Sequence, residues 1–191
     1  MGLDNIPFTY ACQKQGTVIR DEEDHIDCKA TQAANQCPWK RDLEASTLPI
    51  SQADSVYGML GTHCWYRGKE GQYMLEAACE ELEILEGSTE HRIPLIEWAR
   101  FAQHGFYGPD CENSIDKPDM SPNYMRELSK FMKDNVELYA KSCHRFAEAA
   151  DPVDGGKTID EVVAGGIRRW MYATWWLEWC ANKCDGAKSW Y

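Results

Sequence analysis

The chain has 191 residues, which suits one domain with a substantial core and is too short for two domains of ordinary size. Hydrophobic residues make up 43% of the sequence and aromatic residues 12%, a composition that excludes a disordered chain. The net charge of −11 argues against charge-driven binding to nucleic acid or to an anionic membrane.

No run of 18 apolar residues is present, and residues 1–7 lack the basic flank and apolar stretch of a signal peptide. We therefore expect a soluble, cytoplasmic protein that does not enter a membrane. Nine cysteines are many for such a protein. In a reducing compartment, cysteines ordinarily bind metal or are buried as small hydrophobic residues.

Residues 1–71 form a predicted cysteine-rich segment in which glycines and prolines interrupt the sequence, so we expect mostly loop. β-Branched residues on both sides of the acidic turn 21–24 favour a short β-hairpin within residues 9–28. One or two helical turns are predicted over 29–36, and a short strand or helix around 56–60.

Residues 72–191 carry the periodicity of a helical core. Apolar residues at three- and four-residue spacing predict a helix over 72–86, with glutamates on its other face. A shorter helix is expected over 94–104, because proline is favourable in the first turn of a helix.

Two long helices are predicted over 122–150 and 158–184. Ser121 is the expected N-cap of the first, and Thr158 and Glu161 form a capping box at the second. The predicted fold class is therefore mainly α. We expect a bundle-like helical core packed with the cysteine-rich segment as one compact domain.

Four cysteines of the loop-rich segment, Cys12, Cys28, Cys37 and Cys64, are the candidate ligands of a structural zinc ion. No pair has the two-residue gap of a zinc knuckle, so the ligands have to converge from separate turns. Buried cysteines without a metal are an equally weighted alternative. An iron–sulfur cluster or a disulfide is a further one, and His25 or His63 could replace a thiol.

A second group of candidate ligands lies in the long helices. Cys180 and Cys184 are one helical turn apart, and Cys143 and His144 are available on the preceding helix. Cysteines at core spacing are more often packed hydrophobic residues, which is the favoured interpretation.

The last predicted helix contains four tryptophans, Trp170, Trp175, Trp176 and Trp179, on more than one side. Such a helix is either the central member of a bundle or part of an interface. The central position is favoured, and a homo-oligomer formed through this helix is the alternative.

Residues 71–120 hold 11 acidic against 3 basic residues. The helix face carrying Glu80, Glu83 and the following Glu90 is a candidate contact surface for a basic protein partner. A solvated face that only maintains solubility is the favoured interpretation. A di-iron site is disfavoured, because the predicted helices lack the Glu-x-x-His motif.

The segment 58–69 combines glycines, aromatic residues and basic residues, with Trp65, Tyr66 and Arg67 as candidate partner contacts. Such a segment can stack on bases or hold an anion, and it is the one place where nucleic acid remains a candidate partner. A loop whose aromatic residues cover the cysteine cluster is the favoured interpretation.

The opening residues 2–7 followed by Cys12, the Cys28 and Cys37-Pro38-Trp39 elements and the run Cys64 to Gly68 resemble small uncharacterised proteins encoded by tailed phages and archaeal viruses. The resemblance covers residues 1–70. It implies a virus-encoded accessory or virion protein, present in the host cytoplasm or in the virion, and transfers no catalytic residues.

Nucleotide-binding loops, nucleophile elbows and His-Glu-x-x-His are absent from the sequence. The leading hypothesis is therefore a non-enzymatic accessory protein that binds a macromolecule, with an unidentified protein as partner. The alternative is a small metalloenzyme that uses the cysteine cluster or buried carboxylates with His104 or His144.

Overall fold

The computed structural model describes residues 3–34, 36–48, 64–85, 100–101, 103–110, 116–150 and 156–190, with the backbone alone at 82–85. Most of these residues are helical, which confirms the predicted mainly α fold. In chain order the elements are strand β1 (Asp4–Pro7), helices α1 (Ala11–Lys14), α2 (Cys28–Ala33), α3 (Pro38–Glu44) and α4 (Gly68–Leu85), a 3-10 helix (Gly105–Tyr107), helices α5 (Pro122–Asp134), α6 (Val136–Ala149) and α7 (Ile159–Lys183), and strand β2 (Ala187–Trp190).

Helices α5 and α7 begin at the predicted capping residues. The Ser121 hydroxyl accepts a hydrogen bond from the Tyr124 amide at 3.3 Å, and Pro122 occupies the first helical position. At α7, the Thr158 hydroxyl accepts from the Glu161 amide at 3.2 Å, and the Glu161 carboxylate accepts from the Thr158 amide at 2.8 Å. Both predicted helix starts are confirmed.

The helix predicted over 122–150 is divided at Asn135 into α5 and α6, so the prediction of one unbroken helix is wrong. The Met132 carbonyl would accept from Val136 in a continuous helix. It accepts from the Asn135 amide at 3.2 Å and from Trp170 Nε1 at 2.6 Å. The Trp170 indole of α7 thus donates to a carbonyl at the point where the helix is divided. The spacing of apolar residues along the chain cannot predict this contact.

Helix α7 lies at the centre of the core, packed against both α5 and α6. Trp170, Tyr172 and Trp176 are at most 1% exposed, and Trp179 is 6% exposed, whereas Trp175 is half-buried. These positions support the central-helix interpretation. None of the helices in the described ranges, α7 included, combines the length and apolar character needed to cross a membrane.

Helix α4 begins at Gly68, so the boundary predicted between residues 71 and 72 falls inside a helix. A Cβ at Gly68 would lie 2.1 Å from Asn5 Oδ1, and a Cβ at Gly71 would lie 2.3 Å from the Phe106 ring. Both glycines permit close packing of the helix. They fall within the segment 1–71, for which mostly loop is predicted.

Strands β1 and β2 form an antiparallel pair, which we call the clasp, with Asp4 opposite Trp190 and Pro7 opposite Ala187. Asn5 of β1 also bridges Tyr66, just before α4. Asn5 is fully buried, and its Nδ2 donates to the Phe106 carbonyl at 2.8 Å. The clasp therefore joins both ends of the described chain to the start of α4.

The predicted hairpin within residues 9–28 is reduced to a turn with one antiparallel bridge, between Arg20 and Ile26. The Asp21 amide donates to the His25 carbonyl at 2.9 Å, and Asp24 has a φ of 66°. Helix α2 and the described residues 100, 101, 103 and 104 agree with the predicted helices over 29–36 and 94–104. The element predicted around 56–60 lies outside the described residues.

Candidate metal centre

The four cysteines proposed as zinc ligands line a single cavity. Cys12 lies in α1, Cys28 is the first residue of α2, Cys37 is the N-cap of α3, and Cys64 lies just before α4. The cavity volume is about 20 Å³, roughly the space of one water-sized sphere. The remaining lining residues are Tyr10, Ala11, Thr31, Gln32, Pro38, Trp39 and Trp179.

Polar side chains fix the loops between the three short helices. Asp27 caps α2 by accepting from a first-turn amide at 2.8 Å. Thr31 is 1% exposed, donates to the Asp27 carbonyl at 2.7 Å and accepts from the Ile19 amide at 3.0 Å. The Thr17 hydroxyl donates to the Gln36 carbonyl at 3.0 Å. These bonds set the starts of α2 and α3, where two of the cysteines lie.

The C-terminal half of α7 forms the wall opposite the short helices. Trp176 Nε1 donates to the Cys64 carbonyl at 2.9 Å, which holds this cysteine against α7. Trp179 Nε1 donates to the Asp42 carboxylate of α3 at 3.1 Å. The cavity therefore lies between the cysteine-rich segment and the central helix of the core.

Burial and mutual proximity raise the pKa values of the thiols. The pKa of Cys28 is raised to about 11, first by burial and then by the Cys12 and Cys37 thiols. Burial, followed by the Cys37 thiol, also raises the pKa of Cys12, although backbone amides that donate to its sulfur oppose this. For the buried Cys64, burial and the neighbouring thiols raise the pKa well above its usual range. Binding of a cation here must therefore release protons.

Two further buried cysteines, at the end of α7, do not line the cavity. Cys184 is 2% exposed and Cys180 is fully buried. The Cys184 thiol is close enough to those of Cys64 and Cys12 to raise the pKa of each. The one-turn spacing of Cys180 and Cys184 predicts that they share a helix face. The spacing does not predict that this face lies near Cys64.

The structure does not form the alternative group of Cys180 and Cys184 with Cys143 and His144. Cys143 packs on Gly166, near the start of α7. At 1.5 Å per residue, that position lies about 20 Å along the helix from Cys180. The His144 side chain is 52% exposed and pairs with a glutamate of its own helix.

The histidines considered as substitute ligands do not join the described cluster. The His25 side chain is 73% exposed and is not among the cavity-lining residues, and His63 lies outside the described residues. Among the described residues, no group of three or more His, Cys, Asp or Glu side chains has the spacing of a metal site. Coordination of an ion therefore requires the sulfurs to draw closer together.

The aromatic residues predicted to contact a partner point into the protein. Tyr66 is fully buried and stacks on Trp176 with ring centroids 5.2 Å apart, so its prediction as a surface contact is wrong. Trp65 is half-buried, and its Nε1 donates at 2.5 Å to the hydroxyl of the cavity-lining Tyr10. Arg67 is exposed. Trp65 thus contacts a residue that lines the cysteine cavity, whereas Tyr66 packs in the aromatic core.

The acidic residues predicted to contact a partner are only partly described. Glu80 is exposed on α4. Glu81, the next residue, is buried and accepts from Arg145 at 2.8 Å, so it belongs to the α4–α6 contact. The side chain of Glu83 and the whole of Glu90 lie outside the described residues.

The candidate centre is inferred from this chain's own residues, since no protein-family model, curated protein or solved structure matches the chain.

Proposed function

We propose that this chain is a non-enzymatic binding protein in which one zinc ion fastens the cysteine-rich segment to the helical core. The observation that carries the proposal is the convergence of Cys12, Cys28, Cys37 and Cys64 on one cavity. Structural zinc sites are four-coordinate, with thiolate sulfurs about 2.3 Å from the metal. Inward movement of the four sulfurs would supply such a site.

The size of the cavity favours a single ion over an iron–sulfur cluster. Its volume of about 20 Å³ is roughly that of one water-sized sphere. A four-iron cluster is also held by four cysteines, but it brings eight atoms of its own. A single zinc ion therefore fits this cavity better than a four-iron cluster does.

The same cavity gives little support to the metalloenzyme alternative. Pockets that bind small molecules ordinarily measure about 300–1,000 Å³, far more than the cavity at the cysteines. A catalytic zinc also keeps one coordination position open, whereas four thiolates close the site. Neither His104 nor His144 lines the cavity. This geometry supports a structural role for the ion.

Metal content tests the zinc centre directly. Protein purified without chelator should contain about one zinc per chain by elemental analysis. Cys12→Ser, Cys28→Ser and Cys37→Ser should each lower the zinc content and reduce stability by several kcal/mol, because the energy of metal binding is also folding energy. Cys143→Ser is the control, since that cysteine is buried away from the cavity. Wild-type protein without metal would refute the centre.

We further propose that the exposed face of α4 contacts the partner. Lys69, Tyr73, Glu76 and Glu80 follow one another at four- and three-residue spacing and therefore share a face. Tyr73 is 52% exposed, and Lys69 Nζ lies 5.3 Å from its ring centroid. An aromatic ring next to two exposed carboxylates suits a basic protein surface.

The partner contact is tested by a single charge reversal. Glu80→Lys should weaken capture of the partner from a cell lysate, and wild-type capture should itself decline as ionic strength rises. Glu137→Lys is the matched control, because it makes the same charge change at an exposed position of α6. Identical proteins bound by wild type and Glu80→Lys would remove the α4 face from consideration.

A further inference from the structure

One threonine side chain holds the backbones of Cys12 and Cys37 together. The Thr17 hydroxyl lies 3.4 Å from the Cys12 carbonyl oxygen and donates to the Gln36 carbonyl at 3.0 Å. The Gln36 carbonyl belongs to the peptide bond that joins Gln36 to Cys37. The Thr17 amide also donates to the Cys12 carbonyl at 2.9 Å. Cys12 and Cys37 are therefore fixed on either side of one hydroxyl, and both line the same cavity.

The four cysteines of the cavity differ in their access to solvent. Cys28 and Cys37 are half-buried, whereas Cys12 is 6% exposed and Cys64 is 7% exposed. Oxidation of a cysteine by a small oxidant is favoured by exposure and by the thiolate form. Such an oxidant reaches Cys37 more readily than Cys12. The link through Thr17 then places Cys12 beside the oxidised sulfur.

We propose that a peroxide converts Cys12 and Cys37 into a reversible disulfide and that the zinc ion is released when this bond forms. This inference rests on the zinc centre proposed above. Formation of the disulfide removes two of the four thiolates that hold the ion. A covalent bond between α1 and the start of α3 replaces the coordination that connects them to Cys64. The oxidised cysteine-rich segment is thus no longer fastened to the helical core by a metal.

The reaction has two steps. The Cys37 thiolate attacks one oxygen of hydrogen peroxide, so that an S–O bond forms, the O–O bond breaks and hydroxide leaves. The Cys37 sulfur, oxidised by two electrons, is now a sulfenic acid. The Cys12 thiolate attacks this sulfur, the S–S bond forms, the S–O bond breaks and a second hydroxide leaves. A dithiol reduces the disulfide by thiol–disulfide exchange and restores both ligands.

Peptide mapping of zinc-loaded wild-type protein tests the pairing, because trypsin separates the four thiols. Cleavage after lysine and arginine places Cys12, Cys28, Cys37 and Cys64 in the peptides 1–14, 21–29, 30–40 and 42–67. Treatment with about one equivalent of hydrogen peroxide should link peptide 1–14 to peptide 30–40. A chromogenic chelator should detect one zinc ion released per disulfide. A dithiol with added zinc should restore the metal content.

Three serine variants separate the pair from the other cysteines. Cys28→Ser should still form the disulfide between Cys12 and Cys37. Cys12→Ser should form none and should accumulate sulfenic acid at Cys37, which a cyclic diketone traps. Cys143→Ser is the control, because Cys143 is buried away from the cavity, and it should match wild type in disulfide and zinc release. Helical circular dichroism, recorded on every variant, identifies any loss of the fold.

The two proposals fail in different ways. A zinc-loaded wild type that keeps its ion and its thiols in peroxide would overturn the disulfide and leave the zinc centre in place. A disulfide between any other two peptides, or zinc release without a disulfide, would overturn it as well. A wild type that contains no zinc would overturn the zinc centre and, with it, the exchange of metal for disulfide.

Discussion

Two adjacent glycines of α7 have opposite surroundings. A Cβ at Gly166 would lie 2.5 Å from Cys143 Sγ, whereas a Cβ at Gly165 would have one ordinary contact, 3.8 Å from Arg168. Gly166→Ala should therefore lower the free energy of unfolding by about 1–3 kcal/mol through overpacking. Gly165→Ala should raise it by about 0.5–1 kcal/mol through helix propensity.

Urea denaturation measures both changes, and a double variant identifies the cause. If the clash with the sulfur is responsible, Cys143→Ala should restore much of the stability that Gly166→Ala removes. Equal effects of alanine at the two glycines would contradict this account of the α6–α7 contact.

Two neighbouring tryptophans of α7 differ in burial. Trp176 is fully buried, and its indole donates to the Cys64 carbonyl, while Trp175 is half-buried. Trp176→Ala should cost about 3–5 kcal/mol of unfolding free energy, and Trp175→Ala clearly less. Thermal and urea unfolding followed by circular dichroism would show the order, and a larger loss for Trp175→Ala would contradict it.

Among single residues, the sequence predicts those whose role depends on their neighbours in the chain. The caps Ser121 and Thr158 act on amides of their own first turns, so a pattern of a few residues identifies them. The role of Tyr66 depends on an element far away in the chain. Tyr66 resembles an exposed loop aromatic until its stacking on Trp176 is known.

The capping box of α7 gives a pH-dependent contribution to helix stability. The pKa of the Glu161 carboxyl is lowered, first by the hydrogen bond from the Thr158 amide and then by the Thr158 hydroxyl. A carboxyl with a lowered folded-state pKa stabilises the fold above its unfolded-state pKa. That stabilisation is lost as pH falls through the folded-state value.

Glu161→Gln tests this linkage because it keeps the shape of the side chain and removes its charge. The stability difference between wild type and variant should be largest near neutral pH and should shrink as the solution is acidified. Urea midpoints measured across the acidic range would show the change. A difference independent of pH would mean that the charge does not contribute.

The predicted elements agree with the structure where neighbouring residues determine them. Apolar periodicity and caps locate most of α4, α5 and α7. The division at Asn135 and the clasp depend on hydrogen bonds to distant residues, from Trp170 to Met132 and from Asn5 to Tyr66. A period of 3.6 residues carries no information about these bonds, so neither feature can be predicted from it.

For the whole molecule, the zinc centre predicts uneven stability. Removal of the ion by a chelator should loosen α1, α2 and α3, which are short and contribute three of the thiols. Helices α5, α6 and α7 share a large apolar core and should stay folded. Hydrogen exchange should lose protection over 11–44 and keep it in the three long helices. Uniform loss of protection would contradict a local role for the ion.

The clasp imposes an order on folding during synthesis. β1 is made early, but its partner β2 follows only after α7 is complete. Cys64, the last of the four proposed zinc ligands to be made, precedes the first residue of β2 by 123 residues, a delay of about 6–25 s at ribosomal rates of about 5–20 residues per second. In the proposed centre, all four ligands are therefore present well before the clasp can close.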